Sequence, residues 1–207
     1  MKVMLVNGSP HEHGCTDAAL REVASALNAD GIDTEIFWIG NTPIGGCIAC
    51  GGCSKAGKCV FGGSVNDFAE KAKDADGFVF GTPVHYAAAS GNMTAFMDRL
   101  FCSAPKEAFC RKPAAVITSA RRAGTTAAYE QLLKYPGITE MPIVSSCYWN
   151  NVHGSRAEDI QQDEEGVRIM RVLGHNMAWL LRCIEAGKAA GVPNPRKEPL
   201  AKTNFIR

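Results

Sequence analysis

The sequence predicts an α/β domain in which five parallel strands are covered by helices on both faces. Three observations predict it. Short apolar runs alternate with helix-period segments from end to end. Those runs are continuously apolar, as strands buried on both faces require. And 207 residues at 46% hydrophobic content are enough for one sizeable core. In order, residues 3–6 read as the first strand and 16–29 as a helix, with Thr16 as its candidate cap. Residues 34–39 form the second strand, closed by Gly40-Asn41-Thr42-Pro43. A helix over 64–72 follows, capped by Ser64, then a third strand at 77–81 (Gly-Phe-Val-Phe-Gly) and a helix over 91–101. Residues 114–118 are the fourth strand, 125–134 a helix, and 142–145 the fifth strand. A long helix over 163–186 ends at Gly187, with Pro193 beyond it. Residues 1–192 are expected to form one domain and 193–207 an extended tail that packs on a neighbouring subunit.

Composition narrows the function classes. A net charge of +1 gives no electrostatic case for nucleic acid or an anionic membrane. No apolar run approaches membrane-spanning length, and Met1-Lys2-Val3-Met4 turns polar too soon for a secretory signal. Nine cysteines, an odd number without an export signal, argue against a disulfide framework and for a reducing cytosol. Cys15, Cys102, Cys110, Cys147 and Cys183, standing alone, read as small buried hydrophobes.

Ligands of an open parallel sheet bind beyond the carboxyl ends of its strands, so the loops there carry the information. After strand one comes Asn7-Gly8-Ser9-Pro10-His11-Glu12-His13-Gly14-Cys15-Thr16. It is neither G-x-G-x-x-G nor a P-loop. Hydroxyls, a histidine and free amides leading into a helix start suit a phosphate. After strand three, Thr82-Pro83-Val84-His85-Tyr86 offers a rigid apolar flank for a flat ring. After strand four, Ser119-Ala120-Arg121-Arg122-Ala123-Gly124 brings two cations that could face a ring gaining negative charge on reduction. One phosphate loop and two ring loops describe a phosphorylated flavin better than a dinucleotide.

Four of the cysteines, Cys47, Cys50, Cys53 and Cys59, stand in thirteen residues with the spacing C-x2-C-x2-C-x5-C. Five glycines within residues 45–57 let the backbone wrap a small object. Triplet spacing favours an iron–sulfur cubane over tetrahedral zinc, whose sites separate two pairs by a longer loop. A cysteine-rich loop at a subunit interface is the competing reading.

With these segments in hand, almost the whole chain resembles the NADPH-dependent FMN reductase branch of the flavodoxin-like superfamily. The likeness rests on Asn7-Gly8-Ser9-Pro10 with Gly14-Cys15-Thr16, on Gly81-Thr82-Pro83-Val84-His85-Tyr86 with Ser90-Gly91, and on Phe96-Met97-Asp98-Arg99. It implies strand order 2-1-3-4-5. It further implies that Ser9, His11, Cys15 and Thr16 hold the FMN phosphate. Pro83, Val84, His85 and Tyr86 would then flank the isoalloxazine, with Arg121 and Gly124 near its pyrimidine edge. Where relatives carry arginine and asparagine, this chain has His11 and Cys15. The cysteine segment resembles the compact motif of iron–sulfur flavoproteins, which bind a four-iron (4Fe-4S) cluster, although Phe61-Gly62-Gly63-Ser64 stands where relatives turn acidic.

The implied activity is hydride transfer from NAD(P)H to FMN and onward reduction of a small acceptor such as a quinone, a nitro or azo compound, or free flavin. No side chain is expected to act as a nucleophile, because the flavin carries the chemistry. The alternative is one-electron exchange with ferredoxin through a cluster. A homodimer or homotetramer in the cytoplasm is expected, without nucleic-acid or membrane partners. Three other signals compete. Cys15 and Arg21 match the C-x5-R of cysteine phosphatases, but the intervening residues read as helix. His11-Glu12-His13 lacks the spacing of a helical zinc pair. His153 and Trp179 read as structural.

Overall fold

The computed structural model describes residues 1–199, 201 and 203. Strand β1 (Lys2–Asn7) pairs in parallel with β2 (Asp33–Trp38) on one side and with β3 (Gly77–His85) on the other. A two-residue strand, β4 (Ala88–Ala89), pairs antiparallel with the end of β3. Strands β5 (Ala114–Ala120) and β6 (Asn151–His153) extend the parallel sheet. The order β2-β1-β3-β5-β6 is the expected 2-1-3-4-5 once β4 is set aside. Alternation along the strands divides the core in two. Val3, Leu5 and Val79 point to helices α1 (Cys15–Ala29) and, at the chain's end, α6 (Glu164–Ala189). Met4, Val6, Phe78 and Phe80 point the other way, to α3 (Ser64–Lys71), α4 (Gly91–Ser103) and α5 (Thr125–Ile138). A one-turn helix, α2 (Cys53–Ala56), lies within the cysteine segment. The first core is aliphatic and the second aromatic, with Phe68, Phe78 and Phe96 in mutual contact through Phe68. Gly174 lets α6 lie against α1, since a Cβ there would stand 2.7 Å from both Ala26 Cβ and the Val23 carbonyl.

Cys102, Cys147 and Cys183, expected to be buried, are exposed, and Cys15 and Cys110 are only partly buried. Four expectations about the elements also need correction. The segment 142–145 is not the fifth strand. Its Ile143 makes only an isolated bridge to Ala114 and is 45% exposed, so apolar composition there did not mean burial. The edge is split: Pro142 and Val144 pair with Ala114, the chain swings out, and it rejoins β5 where the Asn150 carbonyl accepts from Thr118. Asn150 is fully buried, and its side-chain amide donates to the Val116 carbonyl in place of a ladder bond. Ser64 does not cap α3; Gly63, at φ 72°, precedes it and no side chain caps the helix. Thr16 does not cap α1 either, because Gly14 holds that position. Gly187 lies inside α6, and the chain turns only at Gly191, at φ 76°.

Residues 192–199 have no helix or strand. The rest of the expected tail, at 200, 202 and 204–207, lies outside the described residues. Among the described residues no helix is long and apolar enough to cross a membrane.

Candidate functional site

Two concavities bring the sequence-selected residues together. The first is a cleft of about 670 Å³ at the carboxyl ends of β1, β3 and β5. Its floor begins with Asn7, fully buried at the end of β1. The Asn7 side chain shapes the following loop by accepting from Ser9 N–H at 3.0 Å and donating to the Glu12 carbonyl at 2.9 Å. Trp38 Nε1 donates to the Ser9 carbonyl, and Ser9 Oγ accepts from His11 N–H. Gly8 must be glycine, because a Cβ there would meet Met93 Sδ at 2.6 Å and the Gly81 carbonyl at 2.8 Å. The loop feeds α1, whose N-terminus carries no side-chain cap. Its first amides cannot be satisfied inside the helix, and they and the helix dipole favour an anion.

The opposite wall is Pro83, Val84 and His85, which the structure places in β3 itself rather than in a loop. His85 and Ala88 pair across Tyr86-Ala87, both at positive φ (50° and 59°). This is the geometry of a tight primed hairpin turn, built here without the usual Asn-Gly. Strain of this kind persists where the surroundings over-determine it. Gly124, at φ 91°, supplies that constraint: its Cα sits beneath the hairpin, and a Cβ would come within 2.7 Å of Ala87 Cα. The Tyr86 side chain is fully exposed at the tip. Thr16 Oγ1 and Ser119 Oγ share a hydrogen bond of 2.8 Å across the base.

Cys15 lines the cleft, but its thiol donates to the Gly154 carbonyl at 3.4 Å. Burial, followed by the charges of Asp159 and Glu158, raises its pKa above the usual thiol value. An activated nucleophile needs the reverse, a stabilised thiolate. Arg21, the other half of the C-x5-R match, is on α1 and bonded to Asp17 at 2.7 Å.

The second concavity is a cavity of about 240 Å³ lined by Cys47, Cys50, Cys53 and Cys59 together. Helix α4 sets both ends of the segment that forms it. In its first turn, Asn92 donates to the Thr42 carbonyl and accepts from Ile44 N–H. In its last turn, Cys102 and Ser103 close the cavity wall. Ala49, Gly51, Gly57, Gly62 and Gly63 all have positive φ, so the segment winds back on itself. Asn66 clamps the Cys59 backbone through both its N–H and its carbonyl. Cys59 is buried, and Arg99 Nε donates to its sulfur at 3.2 Å. Cys53 Sγ donates to the Cys102 carbonyl. Hydrogen bonding with Cys47, then burial, push the Cys102 thiol up to about 11. Among the described residues no three His, Cys, Asp or Glu side chains converge as a single metal ion requires. The four motif thiols instead line one shared cavity.

The profile of the NADPH-dependent FMN reductase family matches residues 1–155. The chain belongs to that family. An iron-sulfur flavoprotein of Methanocaldococcus jannaschii is 28% identical over 195 residues, 89% of this chain and 100% of the relative. RosB, solved with bound 8-demethyl-8-formylriboflavin-5'-phosphate, superposes with a TM-score of 0.68 at 14% identity, covering 100% of this chain and 92% of RosB. A flavodoxin from the domain Archaea superposes at 0.59 and 15% identity, over 88% of this chain and 99% of its own. The fold is flavodoxin-like, and the protein is a flavin-dependent oxidoreductase of the FMN reductase family.

Ser9, His11, Cys15, Thr16, Pro83, Val84, His85 and Arg121, selected from sequence, all line the cleft of this family member. Tyr86 and Gly124 do not: one points away and the other lies beneath the hairpin. Sequence reasoning missed Gly154, Ser155, Arg156 and Glu158, which form the cleft's third side. The misplaced fifth strand hid them. The small-residue pair Gly154-Ser155 followed by a cation was the available signal. His153 does not line the cleft; its Nδ1 is 3.7 Å from Asp163.

Proposed function

We propose that the cleft binds FMN and that the protein oxidises NADH or NADPH and delivers electrons singly through a four-iron cluster held by Cys47, Cys50, Cys53 and Cys59. The uncapped α1 N-terminus opposite the 83–85 strand fits a flavin phosphate on one side and a flat ring on the other. FMN held there would supply hydride acceptance and the release of electrons one at a time or as a pair. The residues' own work is to hold and orient. The α1 amides and Ser9 take the phosphate, residues 83–85 keep water from one ring face, and Arg121 and Arg156 offset negative charge in a cleft that also contains Glu158.

The observation that carries the cluster is the gathering of all four motif thiols around one cavity, which Ile48, Val60 and Phe61 line together with Arg99, Cys102 and Ser103. Thiolates are the ligands that a core of four irons and four sulfides takes. The iron-sulfur flavoprotein from M. jannaschii, aligned over its full length, supports the same reading. Residues 193–207 are proposed to be a tail outside the flavin-binding domain. Anaerobic purification with flavin, iron and sulfide quantified tests the proposal. The expected sample is brown, with FMN, and with iron and sulfide in equal amounts. A yellow sample with flavin alone would leave a two-electron reductase of small acceptors.

A further inference from the structure

Arg99 is 8% exposed, and its guanidinium faces the cysteine cavity from α4. It donates to Cys59 Sγ and, through Nη2, to the Gly62 carbonyl at 2.7 Å, and it sits 5.8 Å from the centre of the Phe61 ring. None of the ion pairs among the described residues includes it. Its neighbour in sequence, Asp98, is engaged by Tyr135 instead. A buried cation without an anion is costly, and folds retain one where a charge elsewhere balances it. A second polar group points the same way. Ser103 Oγ, on the same wall, is buried without a hydrogen-bond partner. Native proteins rarely leave such an atom unsatisfied. The wall beside the thiols thus holds a cation without an anion and a hydroxyl without a partner.

We infer that Arg99 and Ser103 are the charge-balancing and hydrogen-bonding shell of the cysteine-bound group and set its reduction potential. This rests on the cluster reading above. A four-iron cluster with four thiolates is a dianion when oxidised and a trianion after gaining one electron, with no bond made or broken. A buried cation and a donor to sulfur both stabilise the more negative form, so they raise the potential. Neither side chain is a ligand; both act on the ligands and sulfides beside them.

The test is an anaerobic redox titration with dithionite as the electron source, followed by electron paramagnetic resonance. It compares the parent with Arg99→Gln, Arg99→Lys and Ser103→Ala. Iron and sulfide are measured on the same samples. The expected result is a lower midpoint in Arg99→Gln by at least a tenfold change in the reduction equilibrium, about 59 mV for one electron. Ser103→Ala should shift the same way by less, and Arg99→Lys, which keeps the charge, should stay near the parent. If Arg99→Gln loses the cluster while Arg99→Lys keeps it at the parent midpoint, the requirement for charge is likewise supported. Equal midpoints in all four proteins overturn the inference while leaving the cluster reading intact. So does loss of the cluster from both Arg99 variants, which would make the residue a geometric support for the Gly62 turn. A parent free of iron sinks the cluster reading itself, and this inference with it.

Discussion

The cleft and the cysteine cavity solve opposite problems with opposite materials. The cleft gathers residues from four chain segments, and its proposed anion-binding groups are main-chain amides at a helix start. Their positions follow from where the sheet ends. The cavity is made almost entirely by residues 47–61 and closed by one helix, and its proposed binding groups are side-chain sulfurs. Helix α4 reaches both regions. Ser90 caps its start, accepting from Met93 N–H and donating to the Gly8 carbonyl beneath the cleft, while Cys102 and Ser103 at its end face the thiols. From Asn92 to Cys102 it spans about 15 Å at 1.5 Å per residue. A site made of fold geometry tolerates side-chain change, whereas a site made of side chains does not.

The strongest test of that contrast is Cys50→Ser. Iron and sulfide should fall to background in anaerobic protein while FMN content stays at the parent level. Comparable loss of flavin would show that the two regions are not separable. Next in size is Gly124→Ala, which should damage the cleft alone. A side chain at φ 91° costs about 1–2 kcal/mol, and the new Cβ would press on Ala87 Cα at 2.7 Å. FMN affinity should fall more than tenfold by fluorescence titration, with iron content unchanged.

Ser9→Ala should weaken FMN by about tenfold, the ~1.5 kcal/mol of one charge-assisted hydrogen bond. The amides of α1 remain to hold the phosphate. Isothermal titration that finds no change would remove Ser9 from the phosphate site. The smallest effect belongs to Cys15. Its raised thiol pKa leaves little thiolate at neutral pH, and reactivity should climb only as the pH rises past the ordinary thiol range. In protein stripped of iron, iodoacetamide at pH 7 should label the exposed Cys47 and Cys50 well before Cys15. Cys15→Ala should change FMN affinity less than threefold. Rapid labelling of Cys15 would overturn the view of it as a wall residue.

The parallel sheet was legible because burial on both faces writes itself into runs such as Phe78-Val79-Phe80. That the loop after β1 lines a cleft was legible because, in an open parallel sheet, ligand clefts lie beyond the carboxyl ends of the strands. The hairpin was not. Tyr86 and Ala87 adopt a turn that sequence rules reserve for Asn and Gly, and they are held there by Gly124, distant in sequence. The fifth strand misled because residues 142–145 look like a strand yet only graze the edge, while Asn150 makes its pairing with a side chain. The four thiols were plain from spacing. Arg99 and Ser103 were not, since nothing in Phe96-Met97-Asp98-Arg99 says which cavity an arginine will face. Contacts between segments far apart in the chain are what local patterns leave out.

The placement of the cysteine segment outside the sheet bears on the order in which the proposed centres would be assembled. Sheet and helices bury their own cores without help from the three exposed or half-exposed thiols Cys47, Cys50 and Cys53, and only Cys59 reaches into the aromatic core. Binding of the proposed cluster would therefore not be the folding event that metal binding is in a zinc finger. Under the proposed reading the chain would fold and take up flavin while iron is scarce, and load a cluster later through a mouth that is already on the surface.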